Sequence, residues 1–147
     1  MSTVKQLTHI VFATKHREMT INAAHCEDLY RFITYFLQKY HCYLLRTNGI
    51  ENHIHILVDI HPSISLSTLV QMLKHDSSVW MQGSGLFPKW KGWCEGYFAC
   101  SVSPKSQDAV IEYIKFQKEH HNRMNFEDEF IKLNANAGIE YDGFMLE

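Results

Sequence analysis

Three features of this sequence predict an α+β sandwich, four antiparallel strands backed on one face by two helices. The first is Glu51 to Ile60, where strict alternation sets His53, His55, Leu57 and Asp59 on one side and Ile54, Ile56, Val58 and Ile60 on the other. The second is Asn48-Gly49, the clearest hairpin signal in the chain, which joins that stretch to the run before it. The third is a pair of amphipathic helical patterns, one on each side of the hairpin.

Taken in order, Leu7 to Thr14 is rich in β-formers and stops at the charged Lys15-His16-Arg17, which predicts a first strand. From Ala23 to Tyr40 the apolar residues Leu29, Phe32, Ile33, Phe36, Leu37 and Tyr40 recur at helical spacing, an aromatic stripe that suits a core. Tyr43 to Thr47 reads as the second strand and the His53/His55 stretch as the third, paired through the Asn48-Gly49 turn. Ser63 to Ser67 offers N-caps for a second helix, which carries Leu66, Leu69, Val70, Leu73 and Val79 to about Met81, before Gly83-Ser84-Gly85 breaks the chain. Phe87 to Trp93 is irregular, and Tyr97 to Val102 supplies a fourth strand. The order β-α-β-β-α-β is the split βαβ pattern of a ferredoxin-like sandwich. The aliphatic side of the His strand must meet the helices, so His53 and His55 are expected on the open face.

With 147 residues, 46% of them hydrophobic, the chain suits one packed domain. It has no apolar run of membrane length and no charged-then-apolar leader at Met1, so a soluble, cytoplasmic protein is expected. Cys26, Cys42, Cys94 and Cys100 form no C-x-x-C pair and are expected as free thiols. The net charge is −2, but residues 124–147 alone hold −5 and the remainder +3. A mildly basic body with an acidic tail is compatible with a phosphate backbone without demanding one.

Two imidazoles one pleat apart on a strand can grip a metal ion, although His-x-His also arises by chance. After the capping stretch Ser103 to Asp108 a third helix is expected, and on it Tyr113 and Gln117 lie four apart and share a face. A tyrosine there is usually packing and a glutamine usually solvated. Joined to His53-x-His55 on the open face of a split βαβ sandwich, however, the pattern resembles the single-tyrosine transposases of the HUH superfamily, the small insertion-sequence enzymes and their REP-associated relatives. The likeness runs to about His121. It includes Tyr113-Ile114-x-x-Gln117, Thr14-Lys15-x-Arg17, Leu73-Lys74, Gly96-Tyr97 and Ser101-Val102-Ser103. Glu129-Phe130 and Gly138-Ile139-Glu140-Tyr141 look similar to the tail of one branch. Asn52 departs from the pattern, since the family often has Asp before the first histidine.

The resemblance implies a catalytic domain over residues 1–123, with the tyrosine helix across 104–122 and the acidic tail over 124–147. It implies nicking and rejoining of single-stranded DNA beside a hairpin through a covalent 5′-phosphotyrosine. Tyr113 would be the nucleophile, and His53, His55 and Gln117 would hold Mg²⁺ or Mn²⁺ with positions open for a phosphate oxygen. Lys15, Arg17, Lys74, Lys89 and Lys91 are candidate DNA contacts. A homodimer is expected because the sandwich has unpaired edge strands, and the family's habit raises docking of the tyrosine helix in trans, with cis docking equally open to this sequence. Two rivals are a non-cleaving single-stranded nucleic-acid-binding module and a metal-dependent phosphoesterase. The first would want more sheet aromatics than these strands offer, and the second would want carboxylates, for which Asp59 and Glu112 are the nearest candidates.

Overall fold

The computed structural model describes residues 1–140. Strand β1 (Leu7–Ala13), helix α1 (Cys26–Lys39), strands β2 (Tyr43–Ile50) and β3 (His53–Asp59), helix α2 (Leu66–Ser84) and strand β4 (Phe98–Ser101) follow in the predicted order. The sheet is fully antiparallel with spatial order β2-β3-β1-β4, the split βαβ arrangement. On one face Ile10, Phe12, Ile54, Ile56 and Val58 meet Leu29, Ile33 and Leu37 of α1 and Leu69, Val70 and Leu73 of α2 in one apolar cluster. Val79, expected in that stripe, is instead 60% exposed, because it lies on the outer side of α2. None of the four cysteines is in a disulfide, as expected.

The hairpin forms, but its turn is not at Asn48-Gly49. Ile50 pairs with His53 and Gly49 with Ile54, so Glu51-Asn52 makes the turn and Asn48-Gly49 belongs to β2. Gly49 is needed for close approach: a Cβ there would stand 2.2 Å from the His53 carbonyl oxygen. Helix α2 likewise runs through Gly83 and stops at Gly85, whose φ of 76° is the left-handed cap that glycine tolerates. Its start is as expected, with Ser65 Oγ accepting from the Thr68 N–H at 3.1 Å.

The second face is not bare. Beyond β4, Pro104–Ser106 forms a short turn that leads into helix α3 (Gln107–Lys115). The chain kinks at Phe116 (φ −100°, ψ 26°) into the one-turn α4 (Gln117–His120). The expected single helix over 104–122 is thus two. The segment read as an acidic tail contains helix α5 (Phe126–Asn136), capped by Asn125 Oδ1 accepting from the Asp128 N–H. Phe126 and Phe130 of α5 pack on Val11, Ala13, Cys94 and Phe98, on the sheet face that also carries the histidines. His53 and His55 are therefore fully enclosed, at 0% exposure, instead of standing on an open surface. Among the described residues no helix is long and apolar enough to cross a membrane. Tyr141, quoted in the tail resemblance, lies outside the described residues.

Candidate active site

Strand pairing arranges the site in rows. Val11 of β1 and Asn48 of β2 flank His55, while Ala13 and Ile50 flank His53. Asn48 then anchors the helix above: its Nδ2 donates to the carbonyls of Ile114 and Lys115, each at 3.1 Å. These bonds use carbonyls at the C-terminal end of α3, where helix carbonyls run short of intrahelical partners. They set α3 across β2 and β3 of its own sheet, and the kink at Phe116 turns Gln117 inward until it is fully buried.

The side chains that converge are His53, His55, Tyr113, Gln117, His121 and Glu129. Gln117 Oε1 lies 3.1 Å from His53 Nε2, and its Nε2 donates to Glu129 Oε2 at 2.8 Å. Glu129 Oε1 lies 3.1 Å from His53 Nε2, 3.3 Å from His55 Nε2 and 2.9 Å from His121 Nε2. The Tyr113 hydroxyl donates to Glu129 Oε2. Tyr113 and Gln117 thus share a face, as their spacing predicts, and that face is turned to the histidines. Glu129, His121 and His9 are site residues that sequence reasoning did not select. His9 reaches the site from β1, with Nε2 2.8 Å from His55 Nδ1.

Burial sets the protonation states. It lowers His53 to about 4 and His9 to about 3, in each case against the pull of the Glu129 carboxylate, so both rings are neutral at pH 7. Burial raises the Tyr113 hydroxyl well above a free phenol, and the charge and hydrogen bond of Glu129 add to that. For Glu129 burial acts upward, yet the hydrogen bonds from His121, His53 and His55 outweigh it and hold the carboxyl below the usual carboxylate range. The ground state is thus a neutral phenol donating to a carboxylate.

The donor set fits a cation. Asn52 Nδ2 faces the Arg17 carbonyl at 3.4 Å, which turns Asn52 Oδ1 to His53 Nδ1 at 2.8 Å. When the single proton of neutral His53 lies on that bond, Nε2 no longer donates to the carboxylate and is left as a lone pair aimed at two oxygens, Gln117 Oε1 and Glu129 Oε1. Acceptors facing acceptors inside a protein call for a positive charge between them. Ligand atoms of His53, His55 and Glu129 all lie within 4.8 Å of one another. Asn52, the departure from the family pattern, still supplies an acceptor oxygen to the first histidine.

The candidate DNA contacts are placed unevenly. Lys15 and Lys89 are exposed. Arg17 pairs with Glu127 and Lys91 with Glu18, while Lys74 turns inward and donates to the carbonyls of Cys94 at 2.6 Å and Gly96 at 2.9 Å. His16 and Arg17 hold φ of 56° and 55°, two successive left-handed non-glycine residues at the rim of a cleft of about 280 Å³. Asn52 and Phe126 line that cleft, and the Phe126 ring lies 4.3 Å from that of His53. Asp59 accepts from the Gln6 N–H at the far end of β3, and Glu112 is exposed.

The family described as "Transposase IS200 like" matches residues 2–117. Over 116 residues the chain is 29% identical to the transposase for insertion sequence element IS200 of Salmonella typhimurium, covering 76% of each, and the same holds for that of Salmonella typhi. A candidate transposase of Deinococcus radiodurans R1 superposes with a TM-score of 0.61 at 21% identity, covering 79% of this chain and 93% of that one. A REP-associated tyrosine transposase, solved bound to a REP hairpin, superposes with a TM-score of 0.63 at 11% identity, covering 84% of this chain and 73% of that one. With four fifths of its length matched by the family, this chain belongs to the IS200-like transposases.

Proposed function

We propose that the chain transposes DNA by nicking and rejoining a single strand, with Tyr113 as nucleophile and a divalent cation held by His53 and His55 together with the side-chain oxygen of Gln117 or Glu129. The observation that carries this reading is the shared carboxylate. Glu129 accepts from the Tyr113 hydroxyl with one oxygen and meets both histidine Nε2 atoms with the other, so nucleophile and ligand set stand side by side. Mg²⁺ or Mn²⁺ bound there would polarise a phosphate oxygen and stabilise the charge that develops on phosphorus. The Tyr113 oxygen then bonds to phosphorus as the bond from phosphorus to the 3′ oxygen breaks, giving a 5′-phosphotyrosine and a 3′ end that takes its proton from water. The phenolic proton lies on the hydrogen bond to Glu129. Because Glu129 sits low and Tyr113 high, its transfer accompanies bond formation instead of preceding it. The phosphotyrosine ester keeps the energy of the broken bond, so a second 3′-hydroxyl can reverse the step.

The DNA partner is proposed from the relative solved on a REP hairpin. Its phosphates would run over Lys15, Arg17, Lys89 and Lys91. Arg46 shares the histidine face, opposite Leu57, and its Nε is enclosed without a hydrogen-bond partner among the described residues. A pair of chains joined at equivalent sheet edges completes the proposal.

The test is a single-stranded oligonucleotide from the gene's own flanks incubated with Mg²⁺ or Mn²⁺. A protein–DNA band that survives denaturation is expected from the native chain and absent from Tyr113→Phe. Buried Glu129 also suits a phosphoesterase, which wants a carboxylate ligand. Cleavage that persists in Tyr113→Phe with no adduct in either protein would establish that reading instead.

A further inference from the structure

Each imidazole of the proposed metal site is tethered on its far nitrogen. His53 Nδ1 meets Asn52 Oδ1, and His55 Nδ1 meets His9 Nε2, both at 2.8 Å. We infer that His9 is a positioning residue, whose Nε2 accepts the Nδ1–H of His55 and so keeps the Nε2 lone pair of His55 on a divalent cation. This rests on the metal reading given above.

The contact between the two rings holds one proton, on either side. A cation at His55 Nε2 excludes a proton there, so neutral His55 must carry its proton on Nδ1, and His9 must accept through Nε2 and keep its own proton on Nδ1. The surroundings hold the pair in register. The ring centres lie 5.1 Å apart with planes 26° from parallel, and the rings of Phe98 at 5.8 Å and Tyr113 at 6.2 Å flank His9, which is 6% exposed. Its backbone is fixed opposite Leu57 and Cys100 in the middle of the sheet. A neutral acceptor also suits the charge of the site. A divalent cation with Glu129, two neutral imidazoles and neutral partners at Asn52 and His9 leaves one net positive charge for a phosphate. A carboxylate at position 9 would cancel it.

Two measurements test this, neither of which reads turnover. Titration calorimetry with Mn²⁺ should show His9→Leu binding roughly tenfold to a hundredfold more weakly than the native chain, as loss of such an outer partner does. His9→Gln, which retains an acceptor oxygen, should bind close to native. Nitrogen NMR of the Mg²⁺-loaded native chain should show both His55 and His9 protonated on Nδ1. His9→Leu binding Mn²⁺ as well as the native chain, or His9 protonated on Nε2 in the loaded protein, overturns the role of His9. Should His9→Leu fail to fold, His9→Gln and the native spectrum decide. A native chain that binds neither ion overturns the metal reading itself.

Discussion

Glu129 is the residue on which the site closes, since five donors or ligand atoms meet its two oxygens. Glu129→Gln removes the charge and keeps the size, so Mn²⁺ affinity should drop by about tenfold or more and adduct formation by at least about a hundredfold if this carboxylate takes the phenolic proton. Adduct formation at the native rate in Glu129→Gln would exclude it as the acceptor. The same cluster predicts a stability profile. His53 and His9 have folded values near 4 and 3 against 6.5 for the free side chain, so between those limits the unfolded chain binds more protons and stability rises with pH. Glu129 is depressed as well, which adds loss of stability as pH falls below 4.5. Thermal melts of the metal-free protein should therefore fall steadily from pH 6.5 to pH 4, by on the order of 3 kcal/mol for His53 alone. A flat profile there would mean that the imidazoles are not enclosed as neutral groups. Glu129 left a trace in the sequence that composition hides. It lies among Phe126, Phe130 and Leu133 at helical spacing, an acid set into an apolar stripe, and a buried acid needs partners. Counted only as one of six acids in the last 24 residues, it reads as solvated tail.

At the scale of elements, the β2–β3 hairpin carries the histidines, and its register depends on Gly49. Any side chain there meets the His53 backbone at 2.2 Å, so Gly49→Ala must push β2 off β3 where His53 begins the strand. A loss of about 2 to 3 kcal/mol is expected by denaturant titration, with metal affinity falling alongside. A substitution without effect would show that β2 does not need the close approach at position 49. Strands and the first two helices were legible because each has a single period: β3 alternates imidazoles with aliphatics although both its faces are buried, and α1 repeats Leu29, Ile33, Phe36 and Leu37. What was not legible depends on contacts between distant segments. Asn-Gly favours a turn locally, but pairing of Ile50 with His53 moves the turn to Glu51-Asn52. The kink at Phe116 follows from Asn48 holding the carbonyls of Ile114 and Lys115, which no reading of 104–122 alone contains. Helix α5 shows its apolar stripe in the sequence, but what that stripe covers depends on the sheet face beneath it.

At the scale of the whole molecule, the arrangement of α3 decides how the site is shared between copies. Asn48 ties α3 to its own β2, Gln117 reaches its own His53, and α5 packs Phe126 and Phe130 over the same sheet, bringing Glu129 to Tyr113. Five residues separate β4 from α3, and they are tightened by the Ser106 N–H donating to the Ser103 carbonyl at 2.9 Å. Exchange of the tyrosine helix with a second chain would have to break all of these contacts and remake them across a two-fold axis. Each chain is therefore expected to work with its own tyrosine, whether or not two chains pair at their edges. Mixing the His53→Ala/His55→Ala double variant with Tyr113→Phe tests this directly. With the helix in cis every site in the mixture lacks either its ligands or its nucleophile, so the covalent band should stay at background. Recovery of adduct on mixing, carried by the chain with altered histidines, would show that the helix crosses to the partner. Sedimentation alone does not distinguish the two, because an edge-paired dimer of complete sites and a helix-exchanged dimer have the same mass.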